Sequence, residues 1–186
     1  MNRGLALVAG LGLVALAFGV SATTPTQRAV EQPFATPAVL GEEAVSRHLL
    51  VTVHDVALAD VIVLDAWTGT TSGVWLVGEA TVTATTERRT LRVEGFLGDT
   101  RYIETRRPRR GLLSSGVVEA GFPITGPFAI ELPADVLDRP EATGFVVRFG
   151  AGLDSRLDGV VELRVDLTAL DHERRLVLDV VREGER

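Results

Sequence analysis

From Val74 to Thr85 the chain keeps a period of two. Val74, Leu76, Gly78, Ala80, Val82 and Ala84 share one face; Trp75, Val77, Glu79, Thr81, Thr83 and Thr85 share the other. Two is the period of a strand, and one consistently small or apolar face is the mark of a half-buried antiparallel one. The same rhythm starts earlier, where Leu49, Val51 and Val53 alternate with Leu50, Thr52 and His54 and the run continues through Val56. It predicts strands over 61–64, 91–97, 101–105, 128–132, 144–149, 160–167 and 175–181. Gly98-Asp99, Pro108, Gly121 with Pro123, Pro133, Pro140 and the glycine-rich 150–159 separate them, because Gly and Pro end regular pairing. Residues 133–137 predict a single helical turn. Short strands without interleaved helices predict an all-β fold, an immunoglobulin-like antiparallel β-sandwich over residues 46–182, with 183–186 a frayed C-terminus.

Ahead of the strands, residues 4–20 are apolar or Gly without interruption, with Arg3 in front. Seventeen residues of helix rise roughly 26 Å, close to a hydrocarbon core of about 30 Å. Residues 1–22 are therefore expected to form a transmembrane signal-anchor. The basic flank sets the N-terminus in the cytoplasm and the domain outside, single-pass in the plasma membrane. The alternative is a signal peptide cleaved between Ala22 and Thr23, which leaves a secreted protein. Pro25, Pro33 and Pro37 make residues 23–45 an extended linker.

The chain has no Cys, which excludes disulfides, a lipidated cysteine, a thiol nucleophile and thiolate metal sites. All 19 basic residues are Arg, so no lysine nucleophile exists either. Beyond residue 22 there are 18 Arg against 25 acids, a balance that argues against nucleic acid as partner.

Candidate chemistry is sparse. His48, His54 and His172 show neither HxH nor HxxxH spacing, and although Asp55, Asp60, Asp171 and Glu173 are near in sequence, solvent-facing strand histidines are the expectation. Ser114-Ser115 lies in no nucleophile elbow and reads as turn serines. Residues 150–154 lack the third Gly and the helix of a dinucleotide loop, and Asp154 and Asp158 lack the ligand alternation of a calcium loop. No catalytic, metal or cofactor site is expected. The most unusual feature is Arg106-Arg107-Pro108-Arg109-Arg110, four charges in five residues on an acidic domain. As surface decoration it is a solvated hairpin loop that guards a sheet edge or balances acids such as Glu104. As a site it grips an anionic polymer or ligand, with Arg101 beside it.

Residues 75–83 (WLVGEATVT) and 121–133 (GFPITGPFAIELP) resemble the telokin-like immunoglobulin domains of secreted and membrane-anchored bacterial proteins. They are similar to domain-of-unknown-function family 4352, common in Gram-positive bacteria, and the likeness runs over about 46–166. The resemblance implies an immunoglobulin-like fold in an actinobacterial-type envelope protein and brings no catalytic residues. Gly78-Glu79 departs from it, standing where a bulkier strand residue belongs. The expected function is a non-enzymatic extracytoplasmic module making protein–protein contacts with an envelope or membrane partner. The alternative is a binding module for an anionic ligand at Arg101, Arg106, Arg107, Arg109 and Arg110.

Overall fold

The computed structural model describes residues 12–14, 16, 18–19, 31–108, 110–152 and 157–183. The chain divides into two units, 1–32 and 33–186. In the first, Gly12, Leu13, Val14, Leu16, Phe18 and Gly19 are helical. No helix among the described residues is long and apolar enough to cross a membrane. The rest of the expected helix over 1–22 and the cleavage position after Ala22 lie outside the described residues.

The second unit holds two sheets. One is built on a long hairpin of β3 (Leu49–Leu64) and β4 (Trp67–Ala84), joined through Asp65 and Ala66 with Asp65 at φ 51°. Asp enters that left-handed region more readily than most residues. Register shifts after Val53 and after Ala59 fuse the two segments expected at 49–56 and 61–64 into one bulged strand. β8 (Ile124–Leu132) pairs with the far side of β4, and β13 (Arg182–Glu183) pairs with β8. The outer side of β3 is shared by β2 (Glu43–Val45), β11 (His172–Glu173) and β12 (Leu176–Leu178).

The other sheet runs β1 (Phe34–Ala38), β10 (Gly159–Val165), β9 (Phe145–Ala151), β5 (Arg89–Leu97) and β6 (Thr100–Ile103). A two-residue strand, β7 (Val117–Val118), pairs with the start of β5. The facing sides of the sheets make one core. Leu49, Val51, Leu76, Val82, Phe128 and Ile130 come from one sheet, and Leu91, Val93, Phe145, Phe149, Val161 and Leu163 from the other. The inward face expected for β4 is confirmed: Val74, Leu76, Ala80, Val82 and Ala84 are all buried there. Gly78 belongs with them, since a Cβ on it would stand 2.5 Å from the Phe128 ring. The missing bulk is the slot into which Phe128 fits, its edge against Phe149 with centroids 5.5 Å apart.

The sandwich is not wholly antiparallel, because β1–β10, β11–β3 and β12–β3 are parallel pairs at the sheet edges. The stretch expected as linker up to residue 45 contains β1 and β2, and the compact unit begins at Pro33. Pro37 hid β1 because proline reads as a breaker; at a sheet edge its missing N–H leaves no ladder bond unmade. Glu183, expected in the frayed end, pairs with Ile124.

The outer face of β4 was expected to be the half-exposed one. Instead Trp75 and Val77 join Ala59, Ile62, Leu64, Leu112 and Ala129 in a second buried cluster, with Trp67, Leu176 and Leu178 packed against it. The Trp67 and Trp75 rings meet edge to face at 6.3 Å.

A cleft where one strand edge is shared

β5 has β9 along one side, but its other side is divided. β7 takes Arg89 and Thr90, and β6 takes Glu94 to Leu97. Between these two short partners the chain leaves the sheet. Glu104 N–H donates to Val93 O at 3.2 Å, and Thr105 N–H donates to Ala129 O at 2.9 Å, on β8 in the opposite sheet. The interruption opens a cleft of about 510 Å³. Its polar lining includes Arg92, Arg101, Glu104, Arg106, Ser114 and Ser115; Ile103, Pro108 and Leu112 are among its apolar walls.

Glu104 is the anomaly of this site. Along β6 the parity puts Tyr102 inward, against the Phe145 ring at 6.2 Å, and Arg101 and Ile103 outward. Glu104 takes the inward parity and is 4 % exposed. Neither of its carboxyl oxygens makes a hydrogen bond of full geometry among the described residues, although the Ser114 and Ala129 backbone lies near enough to favour its charge. Burial pushes its pKa from 4.5 up to about 8, against the opposing pull of the Ser114 and Ala129 backbone and the Arg106 charge. Taking a carboxylate out of water costs several kcal/mol, roughly, unless it is paired, so the carboxyl keeps its proton at neutral pH.

The guanidiniums at this cleft come from three elements. Glu94, 3 % exposed on the outer face of β5, receives Arg101 Nη2 at 2.6 Å and lies 3.3 Å from Arg92 Nε. Glu94 thus meets two arginines, and exposed Arg106 adds a third guanidinium to the cleft lining.

The structure divides the five predicted site arginines. Arg101 and Arg106 line the cleft together, and sequence reasoning passed over Arg92 beside them. Its signal was legible: Arg92 and Glu94 fall on the outward parity of β5. Arg107 is committed elsewhere, donating from Nη2 to Glu131 Oε2 at 2.7 Å and from Nη1 to Thr70 O at 3.2 Å, with Cζ 5.7 Å from the Trp75 ring centroid. Arg110 lines a separate groove with Trp67, Val180 and Val181. Arg109 lies outside the described residues.

The histidines are scattered. His48 Nε2 is 3.0 Å from Asp158, His54 Nε2 is 2.7 Å from Thr81 Oγ1, and His172 Nε2 is 2.8 Å from Asp60. His48 is half-buried rather than solvent-facing, enclosed between the turn before β3 and the start of β10. No group of three potential metal ligands occurs among the described residues. Ser115 Oγ donates to Leu112 O at 2.5 Å, a turn contact as expected.

No family model matches the chain, and no curated protein matches it. Two solved structures are similar to it. One is an uncharacterized β-sandwich protein from Clostridium difficile 630, with 13 % identity, a TM-score of 0.44, and coverage of 76 % of this chain and 99 % of that one. The other is the yjhA protein from Bacillus subtilis, with 16 % identity, a TM-score of 0.45, and coverage of 68 % and 99 %.

Proposed function

We propose that this chain is a non-enzymatic, extracytoplasmic binding module whose cleft takes an anionic group of its ligand. The observation that carries the reading is the lining itself: Arg92, Arg101 and Arg106 share one cleft beside the buried Glu104. Arg101 and Arg106 bring two guanidiniums to that lining, and Arg presents forked donors suited to carboxylate, sulfate or phosphate. The non-enzymatic part rests on the sequence, which offers no thiol or lysine nucleophile and no nucleophile elbow around Ser114-Ser115. The extracytoplasmic setting, on an anchor formed by residues 1–22, rests on the apolar run and its basic flank. An immunoglobulin-like domain of the family 4352 kind belongs to the same proposal, supported by the two-sheet architecture.

The test is calorimetric titration with sulfate, glucuronate and short-chain polyphosphate, on the natural chain and on the Arg101→Ser, Arg106→Ser double variant. Binding that weakens with added salt and falls at least tenfold in the variant supports the cleft. Binding unchanged by both substitutions refutes it. If no anion binds, the reading gives way to a protein-contact module, to be sought by affinity capture from detergent-extracted membranes.

A further inference from the structure

Three exposed apolar side chains meet at one end of the sandwich. Phe34 opens β1 and is 68 % exposed, Val45 ends β2 at 55 %, and Leu157 leads into β10 at 53 %. Phe34 and Val45 line one groove with exposed Arg47. Leu157 adjoins Asp158, whose carbonyl accepts the Phe34 N–H at 2.8 Å. The platform beneath them is fixed. Phe34 is in register with Gly159, and a Cβ on Gly159 would stand 2.8 Å from the Arg47 backbone nitrogen, so the turn before β3 packs directly on the start of β10. His48 Nε2 closes the same junction on Asp158 at 3.0 Å. Leu157 also holds φ at 57°, which large side chains seldom adopt. A single exposed apolar residue needs no explanation, but three gathered from separate segments beside one arginine form a patch.

This end is also where the tether enters. Pro33 begins the compact unit, and residues 21–32 separate it from the apolar run at 4–20. Twelve residues reach at most roughly 43 Å when fully extended, so an anchor formed by that run keeps Phe34 close to the bilayer. Three side chains bind lipid weakly when free, whereas a tethered patch meets the surface at high effective concentration.

We infer that the tether end of the sandwich rests on the lipid surface, with Phe34, Val45 and Leu157 in the boundary between headgroups and acyl chains and Arg47 among the lipid phosphates. This rests on the anchor reading above and goes beyond it by giving the module an orientation on the membrane. Aromatic and aliphatic side chains gain by leaving water at that depth, while a guanidinium stays with the phosphate oxygens. Asp158, the acid at this end, is engaged by His48 and by the Gly159 N–H. Glu43 lies at the other end of β2 from Val45.

The chain has no cysteine, so single labels can be placed directly. The full chain is reconstituted in nanodiscs of phosphatidylcholine and phosphatidylglycerol, with a nitroxide attached at Phe34→Cys, Val45→Cys or Leu157→Cys. The reference is Val177→Cys, exposed on β12 beside the hairpin end of β3. Collision with an aqueous nickel chelate is expected to be at least about fivefold lower at the three patch positions than at the reference, with oxygen collision raised in step. Adding Phe34→Ser and Leu157→Ser to the Val45→Cys chain is expected to return that label to water, with thermal melts run to show that each variant is folded. Equal nickel access at all four positions, in a chain that stays with the nanodiscs, overturns the docking and leaves the anchor standing. Shielded labels that broaden one another through dipolar coupling put a second copy on the patch and overturn the lipid contact too. A chain that elutes apart from the nanodiscs overturns the anchor, and the docking with it.

Discussion

Arg107 Nη2 donates to Glu131 Oε2 at 2.7 Å, and that pair fastens the arginine loop to β8. Thr71 Oγ1 donates to the other oxygen of the same carboxylate at 2.7 Å, and the Arg107 guanidinium lies over Trp75. One residue of an apparently solvated charge run therefore closes the edge of the second buried cluster. Both partners are partly exposed, so screening limits the worth of the pair to about 1 kcal/mol. Arg107→Ser is expected to lower stability by about that amount and to change the tryptophan fluorescence. An unchanged spectrum and melt would show that the contact over Trp75 is not maintained in solution.

Gly78 faces Phe128 across a gap too small for a methyl group, with Asp55 O a further 2.6 Å neighbour of the would-be Cβ. Backbone on one side and a buried ring on the other leave little room to yield. Gly78→Ala is expected to cost about 1–3 kcal/mol in denaturant unfolding, the usual price of overpacking a core. A neutral substitution would mean that the Phe128–Phe149 contact shifts freely.

The buried acid makes a prediction for stability separate from ligand binding. Its folded pKa of about 8 lies above the ordinary 4.5, so between those values the folded chain holds a proton that the unfolded chain has released. Its contribution is therefore most favourable below about pH 4.5 and is lost as pH rises through 8. Glu104→Gln removes this titration. The stability of the variant relative to the natural chain is expected to rise with pH and level off above 8, by on the order of 2 kcal/mol or more. A difference that stays constant from pH 5 to 9 would place the carboxyl in water.

Arg110 lies outside the cleft lining, so Arg110→Ser is expected to leave sulfate binding within twofold, while Arg92→Ser weakens it. Equal losses in both variants would point to a diffuse field of the whole loop rather than a site.

β1 lies along β10 in parallel register, and Phe34 N–H donates to Asp158 O at 2.8 Å. Removing residues up to Ala38 exposes that edge of β10. A chain starting at Val39 is expected to be less stable than one starting at Pro33, by about 1–3 kcal/mol for the lost ladder bonds. Equal melting temperatures would return residues 34–38 to the linker.

The strand content and the inward face of β4 were legible from sequence because both rest on a local period. Val74, Leu76, Ala80, Val82 and Ala84 announce their common side through spacing alone, and Phe128, Ile130 and Leu132 do the same on β8. Local pattern has no access to what covers the other side. Trp75 and Val77 read as outward, yet they are buried, because Leu112 and the C-terminal Leu176 and Leu178 come to them from distant parts of the chain. β1 was lost to Pro37, because the bar on proline pairing holds for central strands and lapses at an edge.

The candidate site divides in the same way. The sequence by itself determined that this chain is a β protein without thiols or lysines, that residues 4–20 are apolar or Gly, and that arginines cluster on an acidic domain. Which arginines act together was decided by tertiary structure alone. Arg101 and Arg106 were foreseen, but Arg92 joins them only because β5 shares one edge between two short strands, and Arg107 is withdrawn by Glu131. Glu104 is an ordinary charged residue in the sequence. It becomes a buried acid because the chain crosses from one sheet to the other at that point, and desolvation depends on the neighbours that the fold assembles, not on the residue or its spacing.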